Sequence, residues 1–114
     1  FVTSEGDACV GDRKTADIAS SLLFNCRPDA LVVGGMAAGS GPAGKLLEQV
    51  AEVAKGTPVV CGTGCKQENI EYVLCRCNGA FVGSAFKKNG LFDNPVDEAR
   101  VRRFMDKVHM LRGE

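Results

Sequence analysis

Three short apolar runs, each containing or ending in glycine, constrain the fold more than any other feature of this sequence. They lie at residues 30–34 (ALVVG), 58–62 (PVVCG) and 79–83 (GAFVG). None of them alternates apolar with polar residues, and unbroken runs of this kind are typical of strands buried on both faces of a parallel sheet. The sequence therefore predicts three consecutive parallel strands.

Helical patterns fill the segments between and around these runs. The predicted helices cover residues 15–25, 42–55 and 67–75, and a last one begins after residue 97. Pro42 in a first turn, Gly56 after a last turn and Asp97 as an N-cap are start and stop signals, and Thr15 or Asp12 is expected to cap the first helix. The order is a helix followed by three strand–helix units, which predicts right-handed βαβ crossovers.

Apolar spacing predicts which side of each helix faces the core. In the first helix, Ile18, Leu22 and Cys26 share one face. The inner face of the last helix is expected to hold Val101, Phe104, Met105, Val108 and Leu111. Its basic residues are predicted on the outer, solvent face: Arg100, Arg103 and Lys107.

Two architectures fit this α/β pattern: part of a TIM-type (β/α)8 barrel, or a doubly wound sheet. In both, ligands bind at the carboxyl ends of the strands. Gly62, Thr63 and Gly64 follow the second strand, and Gly83 and Ser84 follow the third. Glycine lets the backbone approach an anion and point N–H groups at it, and the last two loops of a barrel commonly form a phosphate site. The sequence predicts that these five residues bind phosphate.

Residues after the first strand, and one lysine, are further candidates for ligand contact: Gly35, Gly39, Ser40 and Lys87. Residues 39–44 also read as G-x-G-x-x-G, the dinucleotide fingerprint. That fingerprint needs an acidic residue at the end of the next strand, where this chain has Cys61 and Gly62, so the dinucleotide interpretation is disfavoured. No cofactor is predicted.

Six cysteines allow three interpretations: Cys9, Cys26, Cys61, Cys65, Cys75 and Cys77. Their spacing does not fit a structural zinc site, and strand and helix patterns around them do not fit a disulfide framework. They are predicted to be buried thiols in a reducing, intracellular compartment, with no metal bound. Cys65, beside the predicted phosphate site, is the thiol to test for reactivity.

The charge balance excludes some partners. Fourteen Lys and Arg match fourteen Asp and Glu in 114 residues, so the net charge is zero and nucleic acid is not an expected partner. No apolar run approaches the roughly 20 residues that span a bilayer, so no membrane insertion is expected.

Three segments together resemble the BtpA/SgcQ family. Residues 58–64 with 68–70 resemble its PVLVGSGVTPENV segment, and residues 79–90 resemble its DGxIVGSxFKKDG segment. Residues 94–105 resemble NPVDxxRVxxFM. The resemblance covers about residues 12–112 and implies a TIM-type barrel of the phosphate-binding kind. Some members are linked to photosystem I or membrane-complex biogenesis, and others to sugar metabolism or nucleotide hydrolysis.

This chain departs from the family pattern in ways that bear on function. The family's G-x-x-T-G loop has alanine in place of threonine here (residues 35–39), its K-H dipeptide has no counterpart in residues 1–13, and His109 is expected at the surface. Residues 1–114 are interpreted as one partial barrel domain holding the last units, since a TIM barrel needs about 250 residues. A second chain or a larger assembly is therefore expected to complete it.

Two functions follow from the resemblance and the predicted site. The first is an enzyme, or a relic of one, that acts on or binds a phosphorylated sugar or nucleotide. The second is a non-catalytic assembly or stability factor for a membrane complex, which keeps the anion site. No catalytic residue is predicted.

Overall fold

A three-stranded parallel sheet forms the centre of the described chain. The computed structural model describes residues 14–34 and 42–114. Strands β1 (Leu31–Val33), β2 (Val59–Cys61) and β3 (Gly79–Ala80) pair in the order β1-β2-β3. The predicted α/β class with parallel strands is confirmed.

Four helices accompany the sheet at the predicted places. They are α1 (Thr15–Cys26), α2 (Pro42–Ala54), α3 (Ile70–Leu74) and α4 (Glu98–Leu111). Two short 3-10 segments, Ser84–Phe86 and Lys88–Gly90, connect β3 to α4. None of the helices in the described ranges is long and apolar enough to cross a membrane.

The core lies between one face of the sheet and the helices. Leu31 and Val33 of β1 and Val59 and Cys61 of β2 are buried, whereas the alternate residues Val32 and Val60 are only half-buried. The expectation of strands buried on both faces was wrong for these described residues, because the helices that pack on the sheet bury one residue in two.

The apolar face of α4 packs as predicted, and α2 and α3 also bury apolar residues against the sheet. Leu47 and Val50 of α2, Ile70 and Val73 of α3 and Phe104 of α4 belong to one buried cluster. Burial of such side chains stabilises the fold by about 1.5–3 kcal/mol each relative to exposure. The helices are therefore fixed against the sheet mainly by their apolar faces.

The ends of the first helix differ from the prediction. The N-cap of α1 is Lys14, which makes no capping hydrogen bond through its side chain, and Thr15 lies inside the helix. Asp12 lies outside the described residues. Cys26 is exposed rather than buried, because it is the last residue of α1 and the chain turns away at Arg27 in a left-handed conformation.

The last helix begins where its sequence signal places it. Asp97 is the N-cap of α4, and its carboxylate accepts hydrogen bonds from the N–H groups of Ala99 at 3.0 Å and Arg100 at 3.4 Å. Two of the first unpaired N–H groups of the helix are thereby satisfied. His109 is exposed on this helix.

Candidate functional site

The carboxyl ends of β2 and β3 open into a cleft of about 1040 Å³. This strand-end cleft contains six of the residues predicted from the sequence, Gly62, Thr63, Gly64, Gly83, Ser84 and Lys87. The structure therefore brings the two predicted phosphate loops together, as neighbouring parallel strands require. The other three candidates, Gly35, Gly39 and Ser40, lie outside the described residues.

The first loop of the cleft follows β2. The N–H of Gly62 donates to the carbonyl of Val33 at 2.7 Å, so this amide continues the β1–β2 pairing and does not face a ligand. Gly64 has φ +86°, a left-handed conformation that favours glycine. Its N–H has no acceptor within the described part of the chain. Gly64 is thus one backbone donor that this loop offers.

A buried asparagine fixes the shape of this loop. Asn69 is 6% exposed, and its Oδ1 accepts a hydrogen bond from the N–H of Lys66 at 2.8 Å. Its Nδ2 donates to the carbonyl of Gly64, also at 2.8 Å. The carbonyl of Gly64 is therefore tied to the protein interior.

The same contacts correct the predicted start of α3. The apolar spacing predicts that this helix begins at residue 67. The helix begins instead at Ile70, because residues 66–69 form the turn that Asn69 closes. Helical spacing alone does not indicate this role, although asparagine is a common turn-forming residue.

The second loop of the cleft follows β3. The N–H of Phe86 donates to the carbonyl of Gly83, and the N–H of Lys87 to the carbonyl of Ser84. These bonds use the carbonyls and leave the N–H groups of Gly83, Ser84 and Ala85 without acceptors among residues 14–34 and 42–114. Ser84 is exposed, so its hydroxyl is also accessible.

Basic residues of α4 face the cleft loops instead of solvent. The Nε of Arg100 donates to the carbonyl of Ala85, and the Nζ of Lys107 donates to the carbonyl of Gln67, each at 2.8 Å. Arg103 lines the strand-end cleft between them. The prediction that these three residues form an outer face was wrong for Arg100 and Lys107, because their long side chains reach across to loop carbonyls.

The cleft has a positive charge excess. Lys66, Lys87, Arg100 and Arg103 line it, against the single carboxylate of Glu68. Cations in a recess raise the local concentration of anionic ligands even when the whole chain is neutral. Of these four cations, only Lys87 was predicted as a ligand contact. The others were not, because Lys66 lies farther along the loop after β2 and Arg100 and Arg103 lie on α4, distant in sequence from both strand ends.

The cysteines near the cleft are neutral thiols. Burial raises the pKa of Cys65 to about 12 and that of Cys61 to about 11. Neither has the thiolate character that reactivity requires, so Cys65 is not a reactive thiol. Cys77 is also buried, whereas Cys26 and Cys75 are exposed; Cys9 lies outside the described residues.

The described cysteines and acidic residues do not assemble a metal site. Within residues 14–34 and 42–114, no three His, Cys, Asp or Glu side chains are placed to hold an ion. The chemistry that the cleft can offer is therefore hydrogen-bond donation from backbone N–H groups and a serine hydroxyl, and positive charge from lysine and arginine.

Comparison with known proteins gives a consistent result. The model of the BtpA family matches residues 2–110. The sgc region protein SgcQ of Escherichia coli is 41% identical over 111 residues, which cover 97% of this chain and 41% of that protein. The photosystem I biogenesis protein BtpA of Synechocystis is 36% identical over 78 residues, 68% of this chain and 27% of that protein.

A third relative extends the range of organisms. A mitochondrial protein of Caenorhabditis elegans is 35% identical over 96 residues, which cover 84% of this chain and 34% of that protein. The chain thus spans less than half the length of the relatives it matches. No solved structure matches it significantly.

Proposed function

The chain belongs to the BtpA family, and on this premise we propose that the strand-end cleft binds the phosphate group of a phosphorylated sugar or nucleotide. One observation carries the proposal. Gly64, Gly83 and Ser84, whose N–H groups lack acceptors in the described part of the chain, line the same cleft as Lys87 and Arg100. Phosphate oxygens accept hydrogen bonds from backbone amides and from cations, and charge-assisted bonds are the stronger ones.

We further propose a TIM-type (β/α)8 barrel whose last units are formed by the described βα elements. The family supports this architecture, and the half-buried Val32 and Val60 of the sheet leave apolar surface for further strands to cover. The units that complete such a barrel lie outside the described βα elements. The five free cysteines of the described residues support a reducing compartment.

Ligand titration tests the phosphate site. Isothermal calorimetry with inorganic phosphate and with a sugar phosphate should give saturable binding, and the unphosphorylated sugar should give none. Ser84→Ala removes one donor to the anion and should weaken binding by about tenfold, the effect of a hydrogen bond to a charged group. Binding that is unchanged in Ser84→Ala would place the anion elsewhere.

Gly83→Val is a second test of the same site. A Cβ at Gly83 would meet no atom of the described residues within 4 Å, so the fold can accept the larger side chain. The valine would nevertheless occupy space that an anion needs to reach the Gly83 N–H, and binding should be lost. Gly79→Val is the matched control, because a Cβ there also meets nothing within 4 Å and Gly79 lies outside the cleft.

A second candidate function is that of a non-catalytic assembly factor. It is favoured by the Synechocystis relative, whose name is photosystem I biogenesis protein, and by exposed aromatic side chains such as Phe24, Phe81 and Phe92. Absence of any phosphate-dependent calorimetric signal, together with a co-purifying protein complex that Phe24→Ser disrupts, would favour this function over the first.

A further inference from the structure

Three basic residues of α4 form a row, and the first two of them line the strand-end cleft. Arg100, Arg103 and Lys107 follow each other at spacings of three and four residues, so they share one face of the helix. The hydrogen bond from Arg100 Nε to the carbonyl of Ala85 holds its guanidinium against the loop that contains Ser84. The bond from Lys107 to Gln67 fixes the other end of the row against the β2–α3 loop.

Two members of this row remain available to a ligand. Arg100 uses Nε for the loop, and none of its Nη atoms donates to a residue in the described part of the chain. Arg103 is exposed and makes no hydrogen bond or ion pair within the same residues. Guanidinium groups bind phosphate oxygens through paired N–H donors, so these two side chains are suited to a phosphoryl group.

The charge of the cleft is larger than one phosphate group requires. A monophosphate ester carries about −1.5 to −2 at neutral pH. Four cations and one carboxylate give the described lining an excess of three positive charges, in addition to the neutral backbone donors. A ligand with two adjacent phosphoryl groups matches this excess more closely than a ligand with one.

We infer that the ligand of the strand-end cleft carries a diphosphate group. This inference rests on the proposed phosphate site. The first phosphoryl group accepts hydrogen bonds from the N–H groups of Gly64, Gly83 and Ser84, and the second is bound by the guanidinium groups of Arg100 and Arg103. Esters with a terminal diphosphate, such as nucleoside diphosphates, are the class of small molecule selected by this arrangement.

Calorimetry with inorganic phosphate and pyrophosphate on the full chain tests the inference. Pyrophosphate should bind at least about tenfold more tightly than phosphate, because it gains charge-assisted bonds to two arginines. If phosphate binds and pyrophosphate binds no more tightly, the diphosphate inference is wrong and the proposed phosphate site stands. If neither anion binds, both are wrong.

Arginine variants locate the second phosphoryl group. Arg103→Gln should lower the affinity for pyrophosphate several-fold more than the affinity for phosphate and leave the chain folded, because the Arg103 side chain makes no hydrogen bond or ion pair within the described residues. Arg102→Gln is the matched control: it removes the same charge from α4, but Arg102 is exposed, pairs with Glu98 and lies outside the cleft. Equal losses in the two variants would show a long-range charge effect and overturn the assignment.

A third variant separates charge from geometry. Arg100→Lys keeps the positive charge beside Ser84 but loses the forked donor pair. Pyrophosphate affinity should fall in Arg100→Lys even under conditions in which circular dichroism shows that the variant is fully folded. Full retention of the pyrophosphate preference in both Arg100→Lys and Arg103→Gln would place the second phosphoryl group away from α4.

Discussion

Replacing Asn69 by alanine should lower the free energy of unfolding by about 2 kcal/mol, since a typical intramolecular hydrogen bond contributes about 1 kcal/mol and this side chain makes two. Its Oδ1 accepts from the N–H of Lys66 and its Nδ2 donates to the carbonyl of Gly64, both at 2.8 Å. Lys66 and Gly64 are themselves exposed, so water can reach the freed backbone groups. The cost should therefore stay near the sum of the two bonds.

Urea unfolding followed by circular dichroism measures this loss, and Asn94→Ala is the matched control. Asn94 makes one side-chain hydrogen bond, in which its Nδ2 donates to the carbonyl of the exposed Lys88 at 2.8 Å. Its replacement should cost about 1 kcal/mol, half as much, because only one bond is removed. Equal losses in the two alanine variants would refute the view that Asn69 closes the loop through two bonds.

Asn69→Asp tests the two bonds separately. The aspartate keeps an oxygen that accepts from Lys66, but it replaces the donor to Gly64 with a second oxygen that faces a carbonyl. Near neutral pH the variant should lose at least as much stability as Asn69→Ala. Because Gly64 supplies one of the proposed donors, both variants should also weaken phosphate binding, and unchanged affinity would separate this loop from the site.

Three further predictions concern residues outside the phosphate loops. Asp97→Ala should lower the free energy of unfolding by about 1 kcal/mol, as the loss of an N-cap does. Asp97→Asn, which keeps an N-cap oxygen, should keep most of that stability in the same urea assay. A thiol reagent at mildly alkaline pH should modify Cys75 in the folded chain, whereas Cys65, whose pKa burial raises to about 12, should react only after unfolding, as mass spectrometry will show. The hydrogen-bonded ion pair with Arg76 lowers the pKa of the Glu48 carboxyl. The contribution of this pair to the stability of the fold is therefore present above pH 4.5 and is lost as the pH falls. Glu48→Gln should therefore destabilise the chain near neutral pH and lose this effect in acid; an equal effect at both pH values would contradict the pairing.

The elements of the fold could be predicted because their signals are local. A glycine-ended apolar run, a proline in a first turn and an aspartate N-cap each act within a few residues, and strands β1 to β3 and helices α2 and α4 begin close to the predicted positions. The strand ends were predictable for the same reason. Parallel strands must place their carboxyl ends at one edge, so two glycine-rich loops had to become neighbours.

The roles of Arg100 and Lys107 could not be predicted, because they depend on contacts between segments that are distant in sequence. An amphipathic pattern predicts which side of a helix is apolar, but it does not show whether the polar side meets solvent or a loop. Arg100 reaches Ala85 across fifteen residues, and Lys107 reaches Gln67 across forty. Asn69 was not predicted for another reason: its side chain closes a turn over residues 66–69, where the apolar spacing predicts the first turn of α3.

The zero net charge of the chain and the positive charge of its cleft are compatible because electrostatic attraction depends on local arrangement. Charges farther apart than about 8–10 Å are largely screened in physiological salt, so acidic residues elsewhere do little to cancel four cations that line one recess. Net charge therefore argues against a broad polyanion surface and not against a confined anion site. The backbone donors of the proposed phosphate site, Gly64, Gly83 and Ser84, do not enter the charge count, so a neutral sequence is compatible with the proposed anion binding.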